Sequence, residues 1–290
     1  MGRFAPSPTG PLHLGSLYTA LASYLDARQH KGLWLLRIDD LDTPRNMPGA
    51  SEEILNCLQS FGLHWDGEVY YQSQQLNQYE EAIVKLQNRH ELYPCTCSRS
   101  LLANSPLIYP GYCRIKEQSI QSPHALRVKT ADVSMRFVDE LQGDVSQNLA
   151  TEHGDFIVKR KDGIVAYQLA CVVDDQRQKV NRVVRGYDLL DSTPKQQYLQ
   201  YLLGYPSLQY MHIPLIVDHR GNKLSKQTRA EAVNSHQAGP TLFQLLTLLK
   251  QNPPPDLRLA AIDSILEWAV EHWQAERLTN TQAVSALQHN

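Results

Sequence analysis

The 290-residue sequence contains no apolar run approaching the ~20 residues that a membrane-spanning helix requires, so no membrane partner is expected. It also lacks an excess of charge of either sign: 28 Lys+Arg stand against 30 Asp+Glu, a net charge of −2. With 42% hydrophobic and 20% charged residues, the composition excludes intrinsic disorder, which needs low hydrophobicity and high net charge. The same balance leaves no global electrostatic footprint for a nucleic acid, so any such partner has to be met by a local basic patch. Met1 runs directly into Ala5-Pro6-Ser7-Pro8 without a basic-then-apolar leader, and Pro6 stands where a myristoylation motif takes Ser or Thr. A cytoplasmic chain is therefore expected, and in that compartment the five cysteines are not expected to form structural disulfides. Cys57 and Cys171 lie in apolar surroundings and read as small core residues.

What is present divides along the chain. Arg3-Phe4-Ala5 reads as a short strand, Pro6 to Pro11 as an irregular loop, and Ser16 opens a helix with Leu17, Ala20, Leu21, Tyr24 and Leu25 on one face. Leu33 to Ile38 is a compact apolar run of the kind found in buried parallel strands, completing a βαβ unit. Two more helices are predicted over Ala50 to Phe61 and Leu76 to Arg89. Between residues 92 and 153, proline, glycine, cysteine and short extended segments replace helices. Apolar β-type runs return at Phe156 to Val158, Val165 to Val173, Val180 to Val184 and Met211 to Val217. The organisation expected is α/β: a catalytic nucleotide-binding core in two halves, 1–91 and 154–230, with an inserted subdomain at 92–153 and a helical tail at 231–290. In the tail, Thr241 to Gln251 and a second face formed by Leu259, Ile262, Leu266, Ala269 and Trp273 predict two amphipathic helices.

Three constellations carry chemistry. Pro8-Thr9-Gly10-Pro11-Leu12-His13-Leu14-Gly15-Ser16 joins a strand to a helix, a junction that aims free N–H groups and the positive dipole end at a bound phosphate. Asp218-His219-Arg220-Gly221-Asn222-Lys223-Leu224-Ser225-Lys226-Gln227 reads as a tight turn followed by two lysines flanking a serine, a cationic loop suited to a triphosphate. Taken singly, the first reads as a Pro/Gly connector with a surface histidine and the second as a solvated basic loop. Cys95-Thr96-Cys97 with Cys113 offers three thiolates to a structural Zn2+, which needs one more ligand for a tetrahedral site; Tyr109, His90, Tyr112 and His124 are the candidates.

The Pro-x-Pro-Thr-Gly-x-Leu-His-x-Gly start, with a Lys-x-Ser-Lys loop some 200 residues later, resembles the class I aminoacyl-tRNA synthetases, and within them the glutamyl group. Arg37 to Asp42, Tyr167-Gln168-Leu169-Ala170, Val172 to Asp175, Val184-Arg185-Gly186 and Ser192-Thr193-Pro194 agree in order, so the resemblance spans residues 3 to 230. It implies a Rossmann-type core with a parallel sheet, and activation of glutamate by ATP with Mg2+. His13, Gly15, Ser16, Lys223, Ser225 and Lys226 then fall at ATP-handling positions, with His13, Lys223 and above all Lys226 catalytic. Arg3, Ala5, Ser7, Tyr167 and Arg185 fall at the glutamate-binding positions, and Asp39 at the acidic position that meets the α-ammonium group. Arginine is the residue that pairs bidentately with a planar carboxylate; the plain alternative for Arg3 and Arg185 is an ion pair. Ser16 stands where many relatives have His, Asp39 where many have Glu, and Gln227 where the loop ends in Ser. The resemblance also selects Tyr109 as the fourth ligand, since Cys-x-Cys, eleven residues, Tyr, three residues, Cys recurs in one branch.

That branch is further indicated by length and by Asp188-Leu189. Only about 63 residues follow Gln227, too few for an anticodon-reading module, and tRNA-charging relatives carry an acidic-His pair where Asp188-Leu189 stands. Together these features resemble the glutamyl-queuosine tRNA(Asp) synthetases, which implies tRNA-independent formation of glutamyl-adenylate and transfer to queuosine at the wobble position of tRNA(Asp). The implied partners are L-glutamate, ATP and the queuosine-bearing anticodon stem-loop, met by a monomer. Alternatives are a truncated glutamyl-tRNA synthetase charging the 3′ end of tRNA(Glu), a silent regulatory or binding paralogue, and a small nucleotidyltransferase.

Overall fold

The computed structural model describes residues 1–103, 108–115, 123–218, 221–223 and 233–286. The chain opens with strand β1 (Gly2–Phe4), helix α1 (Leu14–Gln29), strand β2 (Trp34–Ile38), helix α2 (Ala50–Ser60), strand β3 (Tyr70–Tyr71) and helix α3 (Leu76–Asn88). Next come β4 (Leu92–Cys95), the short α4 (Arg99–Ala103), β5 (Ala125–Val128), β6 (Ser134–Asp139), β7 (Gly143–Asn148) and β8 (Ile157–Lys159). The second half of the core holds α5 (Tyr167–Arg177), β9 (Arg182–Gly186), α6 (Thr193–Leu203), β10 (Gln209–Ile213) and β11 (Leu215–Val217). The tail holds α7 (Ala238–Leu248), α8 (Ile262–Glu271) and β12 (Ala283–Ser285).

Strands β1, β2 and β3 pair in parallel in the order β1-β2-β3, and β9 and β10 pair in parallel with Arg185 opposite His212. The backbone N–H of Asn181 donates to the carbonyl of Met1, which sets β9 beside β1. The chain thus winds outward from β1 to β3, then restarts on the other side of β1, and the point of reversal lies between β1 and β9. One core packs α1, α2, α7 and α8 against Phe4, Trp34, Leu36, Ile38, Val184, Met211 and Ile213 of the strands. A second gathers Tyr79 and Ile83 of α3, Leu169 and Val173 of α5 and Leu199 of α6 around Val128 and Val158.

Strands β4, β5 and β8 form an antiparallel sheet, while the β6–β7 hairpin joins β10 through Asp139 opposite Tyr210. Of the predicted run Val165 to Val173, Val165 makes an isolated bridge to Lys159 and Tyr167 onward is the first two turns of helix α5, not a strand. Residues Leu169 to Asp175 are all buried, so the polar stripe that marks a helix in sequence is absent and the run reads as continuously apolar. The predicted Met211 to Val217 strand breaks at Pro214, which has no N–H to give: β10 ends at Ile213, and β11 pairs instead with β12 of the tail. Helix α7 begins three residues before Thr241, because Pro240 falls in the first turn, where a missing N–H costs nothing. Among the described residues no helix is long and apolar enough to cross a membrane.

Candidate active site and metal centre

At the point of reversal, the carboxyl ends of β1 and β9 open into a cavity of about 380 Å³. In open α/β sheets this crevice is where ligands bind. The structure brings the predicted residues Arg3, Ala5, Ser7, Asp39, Tyr167 and Arg185 to its wall, together with His13, Gly15, Ser16 and Lys223. Ser225 and Lys226 lie outside the described residues.

Below the cavity, Arg3 and Arg37 are buried with Asp39, Asp174 and Asp175. Arg3 holds Asp175 through Nε at 3.1 Å and Nη2 at 3.3 Å, a forked pair that leaves one edge of its guanidinium for the cavity. Arg37 donates from Nε to Asp39 at 2.7 Å and from Nη1 to Asp175 at 2.6 Å, and stands 3.7 Å from Asp174. Asp174 is further held by Gln72, at 2.6 Å, and by the Tyr79 hydroxyl, at 2.8 Å. Two guanidinium cations therefore face three carboxylates, one negative charge in excess. Asp175, between both arginines, keeps its proton off far below the ordinary carboxylate range despite its burial. Burial raises two of the three: it lifts Asp174, and at Asp39 it outweighs the bond to Arg37 and pushes the carboxyl up to about 6. A third cation arriving in the cavity at Asp39, such as an α-ammonium group, would balance the cluster.

Arg185 is the complement of this arrangement. It is 3% exposed, and its partners are all uncharged: Nε donates to His212 Nε2 at 3.0 Å, Nη1 to Gln196 Oε1 at 2.8 Å and Nη2 to Thr193 Oγ1 at 2.7 Å. The Tyr167 hydroxyl lies 3.5 Å from Nη1 at the cavity side. Among the described residues no carboxylate stands within ion-pair distance of this guanidinium. A buried cation is costly without an anion, and the open side of Arg185 is the cavity.

The opposite wall is the entry to α1. His13 caps the helix, its Nδ1 accepting from the N–H of Ser16 at 3.2 Å, and the first-turn residues Gly15 and Ser16 face the cavity. The helix thereby presents its positive end there. Lys223 reaches the same space and forms an ion pair with Asp188. Gly186 lets Asp188 and Leu215 close on this wall: a Cβ there would stand 2.6 Å from Asp188 Oδ1 and 3.1 Å from Leu215 Cδ2, so both side chains would have to shift.

In the β4-β5-β8 region the sulfurs of Cys95, Cys97 and Cys113 lie within 4.8 Å of one another, and no histidine of the described residues joins them. The Tyr109 hydroxyl sits 3.4 Å from Cys95 Sγ and 3.5 Å from Cys97 Sγ, which places it, and not His90 or His124, at the fourth corner. Bonds of about 2.3 Å around a tetrahedral zinc put sulfurs about 3.8 Å apart, so this donor set fits such an ion. Burial opposes ionisation of Cys113, but the backbone of Thr96 and the hydroxyl of Tyr109 hydrogen-bond it and bring it down to about 7. Arg127 supports the cluster from outside, donating to Cys95 Sγ at 3.3 Å with its guanidinium carbon 3.8 Å from the centre of the Tyr109 ring.

Sequence reasoning gave no role to Arg37, Asp174, Asp175, Asp139 or His212, and it placed Cys171 in an apolar core, whereas its sulfur lies 3.4 Å from Arg37 Nη2. The available signal was charge inside apolar runs: Arg37 within Leu35 to Ile38, and Asp174-Asp175 directly after Val172-Val173.

A family model described as tRNA synthetases class I (E and Q), catalytic domain, matches residues 1–105 and 114–245. The glutamyl-Q tRNA(Asp) synthetase of Thiobacillus denitrificans is 50% identical over 291 residues, covering 98% of this chain and 97% of the relative. That of Ectopseudomonas mendocina is 46% identical over 290 residues, covering 99% and 98%. A solved glutamate tRNA ligase of Elizabethkingia meningosepticum, crystallised with its amino acid, shares the fold at a TM-score of 0.82 and 23% identity; the match covers 99% of this chain and 66% of that one. The chain is a ligase and belongs to the glutamyl-Q tRNA(Asp) synthetase family of class I aminoacyl-tRNA synthetases.

Proposed function

We propose that the chain activates L-glutamate with ATP–Mg2+ in the absence of tRNA and then transfers the glutamyl group to queuosine at the wobble position of tRNA(Asp). The observation that carries the first step is Arg185, a buried guanidinium without a carboxylate partner among the described residues, opening onto the same cavity as Asp39. Glutamate matches both ends: its side-chain carboxylate pairs with Arg185 beside Tyr167 and Arg3, and its α-ammonium group meets Asp39. Ala5 and Ser7 bring the backbone after β1 alongside. The α-carboxylate oxygen attacks the α-phosphorus of ATP, the bond to the β,γ-phosphates breaks, and pyrophosphate leaves. That step needs placement and positive charge more than an acid or base. The α1 N-terminus with His13, Gly15 and Ser16 and the loop residues Lys223, Ser225 and Lys226 supply them, with Lys226 the principal catalytic cation.

Transfer then forms an ester between the glutamyl carbonyl and a hydroxyl of the queuosine cyclopentenediol, releasing AMP. The acceptor assignment rests on the names of the nearly full-length relatives. Cys95, Cys97, Tyr109 and Cys113 hold one Zn2+, whose closed donor set gives it a structural role. The protein acts as a cytoplasmic monomer on the anticodon stem-loop.

Glutamate-dependent exchange of pyrophosphate into ATP without tRNA tests activation, and its absence overturns the reading. Labelled glutamate should then pass to tRNA(Asp) bearing queuosine and not to tRNA(Asp) lacking it. Equal labelling of both, or charging of the 3′ end of tRNA(Glu), overturns the acceptor.

A further inference from the structure

Arg185 and Arg3 reach the same cavity but are held in opposite ways. Arg3 is gripped directly by a carboxylate, Asp175. Arg185 has a carboxylate behind it as well, Asp139 at the end of β6, but a side chain stands between them. That side chain is His212 of β10, and both His212 and Asp139 are fully buried. Neither lines the cavity.

Donor and acceptor chemistry fixes every proton in this chain of contacts. A guanidinium N–H only donates, so His212 Nε2, 3.0 Å from Arg185 Nε, accepts. Thr193 Oγ1 accepts from Arg185 Nη2 at 2.7 Å and lies 3.2 Å from the same Nε2, whose single lone pair is already taken by the shorter bond from Arg185. The imidazole proton must then sit on Nδ1, where it is donated to Asp139 Oδ2 at 2.6 Å. Asp139 is itself pinned by the backbone N–H groups of Leu141, Gln142 and His212. The Tyr210 ring, stacked on the imidazole at 6.2 Å between centres, closes the other side.

We infer that His212, backed by Asp139, is a positioning residue for Arg185: a neutral imidazole that fixes the guanidinium's direction while keeping a carboxylate out of contact with it. A carboxylate in the place of the imidazole would form the bidentate pair seen at Arg3 and compete with the substrate for the same charge. With the imidazole interposed, the positive charge of Arg185 stays uncompensated on its cavity side. That favours the anionic side chain of glutamate over the neutral amide of glutamine, so the relay sets amino-acid specificity without touching the amino acid. The inference rests on the reading of Arg185 as the partner of the side-chain carboxylate.

Pyrophosphate exchange with His212→Ala, His212→Gln and Asp139→Asn tests it. The alanine variant should raise the KM for glutamate on the order of tenfold or more, the worth of a charge-assisted hydrogen bond, with the KM for ATP unchanged. Preference for glutamate over glutamine should narrow in parallel. The glutamine variant, whose carbonyl accepts from Arg185 and whose NH2 donates to Asp139, should recover most of the glutamate KM. An unchanged glutamate KM in the alanine variant, or KM values for ATP and glutamate rising together, overturns the relay. Should the alanine variant not fold, Asp139→Asn decides: a raised glutamate KM at unchanged ATP KM supports the relay, and a wild-type glutamate KM overturns it. No glutamate-dependent exchange in the wild type would refute the Arg185 reading itself, a result separate from all of these.

Discussion

Asp39, on the cavity wall just beyond β2, accepts a 2.7 Å hydrogen bond from Nε of Arg37, the buried cation two residues before it. The two side chains lie on the same side of the strand because strand side chains alternate, so i and i+2 share a face. The same guanidinium also holds Asp175, at 2.6 Å, so one buried residue ties the cavity floor to helix α5.

Removing Arg37 would leave three carboxylates with Arg3 as their remaining cation. Arg37→Met keeps the length of the side chain and deletes its charge. Breaking a buried ion pair by taking out one partner costs about 3–5 kcal/mol, since the stranded charges stay buried. Urea unfolding should show a loss of unfolding free energy of that size, read as the midpoint shift multiplied by the slope m. A loss under about 1 kcal/mol would mean that water already reaches the cluster and screens it.

The excess negative charge gives Asp39 a pH signature. Its carboxyl is pushed up to about 6 by burial, against about 3.9 in an unfolded chain. Between those values the folded state binds a proton that the unfolded state does not, so stability from this group is complete below about pH 4 and lost as pH rises through about 6. Glutamate affinity runs the other way, because an ammonium group needs the ionised carboxylate. The KM for glutamate in pyrophosphate exchange should therefore climb as pH falls below about 6, and Asp39→Asn should make it high and flat. A wild-type profile that stays level from pH 5 to 8 would separate Asp39 from the ammonium group.

How much of this was legible in sequence follows from where each signal lives. The strand-loop-helix at Arg3 to Ser16 and the apolar run at Leu33 to Ile38 are local patterns, and the elements stand within two residues of where the sequence placed them, the helix opening at Leu14 rather than Ser16. Helix α5 did not show, since burial on nearly every side erased its polar face. The tail strand Ala283–Ser285 could not be seen, because its three residues gain strand character by pairing with Leu215–Val217, some 68 residues away. His212 and Asp139 escaped for the same reason: 73 residues separate them, and only the β6–β10 pairing brings them together.

The sulfur cluster makes a prediction of its own. Cys97→Ser replaces a thiolate with a poor zinc ligand, so elemental analysis should find the metal absent and the segment around β4 and β5 newly open to protease. Tyr109→Phe removes only the phenolic corner, and the ring can still stack beneath Arg127. It should keep zinc at reduced affinity, since the vacant fourth position can take water. Wild-type protein free of zinc, or a Cys97→Ser variant that retains it, would refute the site.

Lys223 separates catalysis from stability. Its ion pair with Asp188 is close to half exposed on both sides, and exposed pairs contribute about 0–1 kcal/mol, so Lys223→Ala should unfold at nearly the wild-type temperature. In the exchange reaction the same lysine is asked to neutralise charge on the triphosphate in a partly closed cavity, where one lost donor costs on the order of 10²–10³ in rate. The kcat of Lys223→Ala should therefore fall by about that factor with the KM for glutamate little changed. Lys226→Ala should be the more severe of the two, with glutamate binding again retained. Wild-type exchange in both variants would remove the lysine loop from the chemistry and leave the α1 N-terminus as the cavity's phosphate-facing charge.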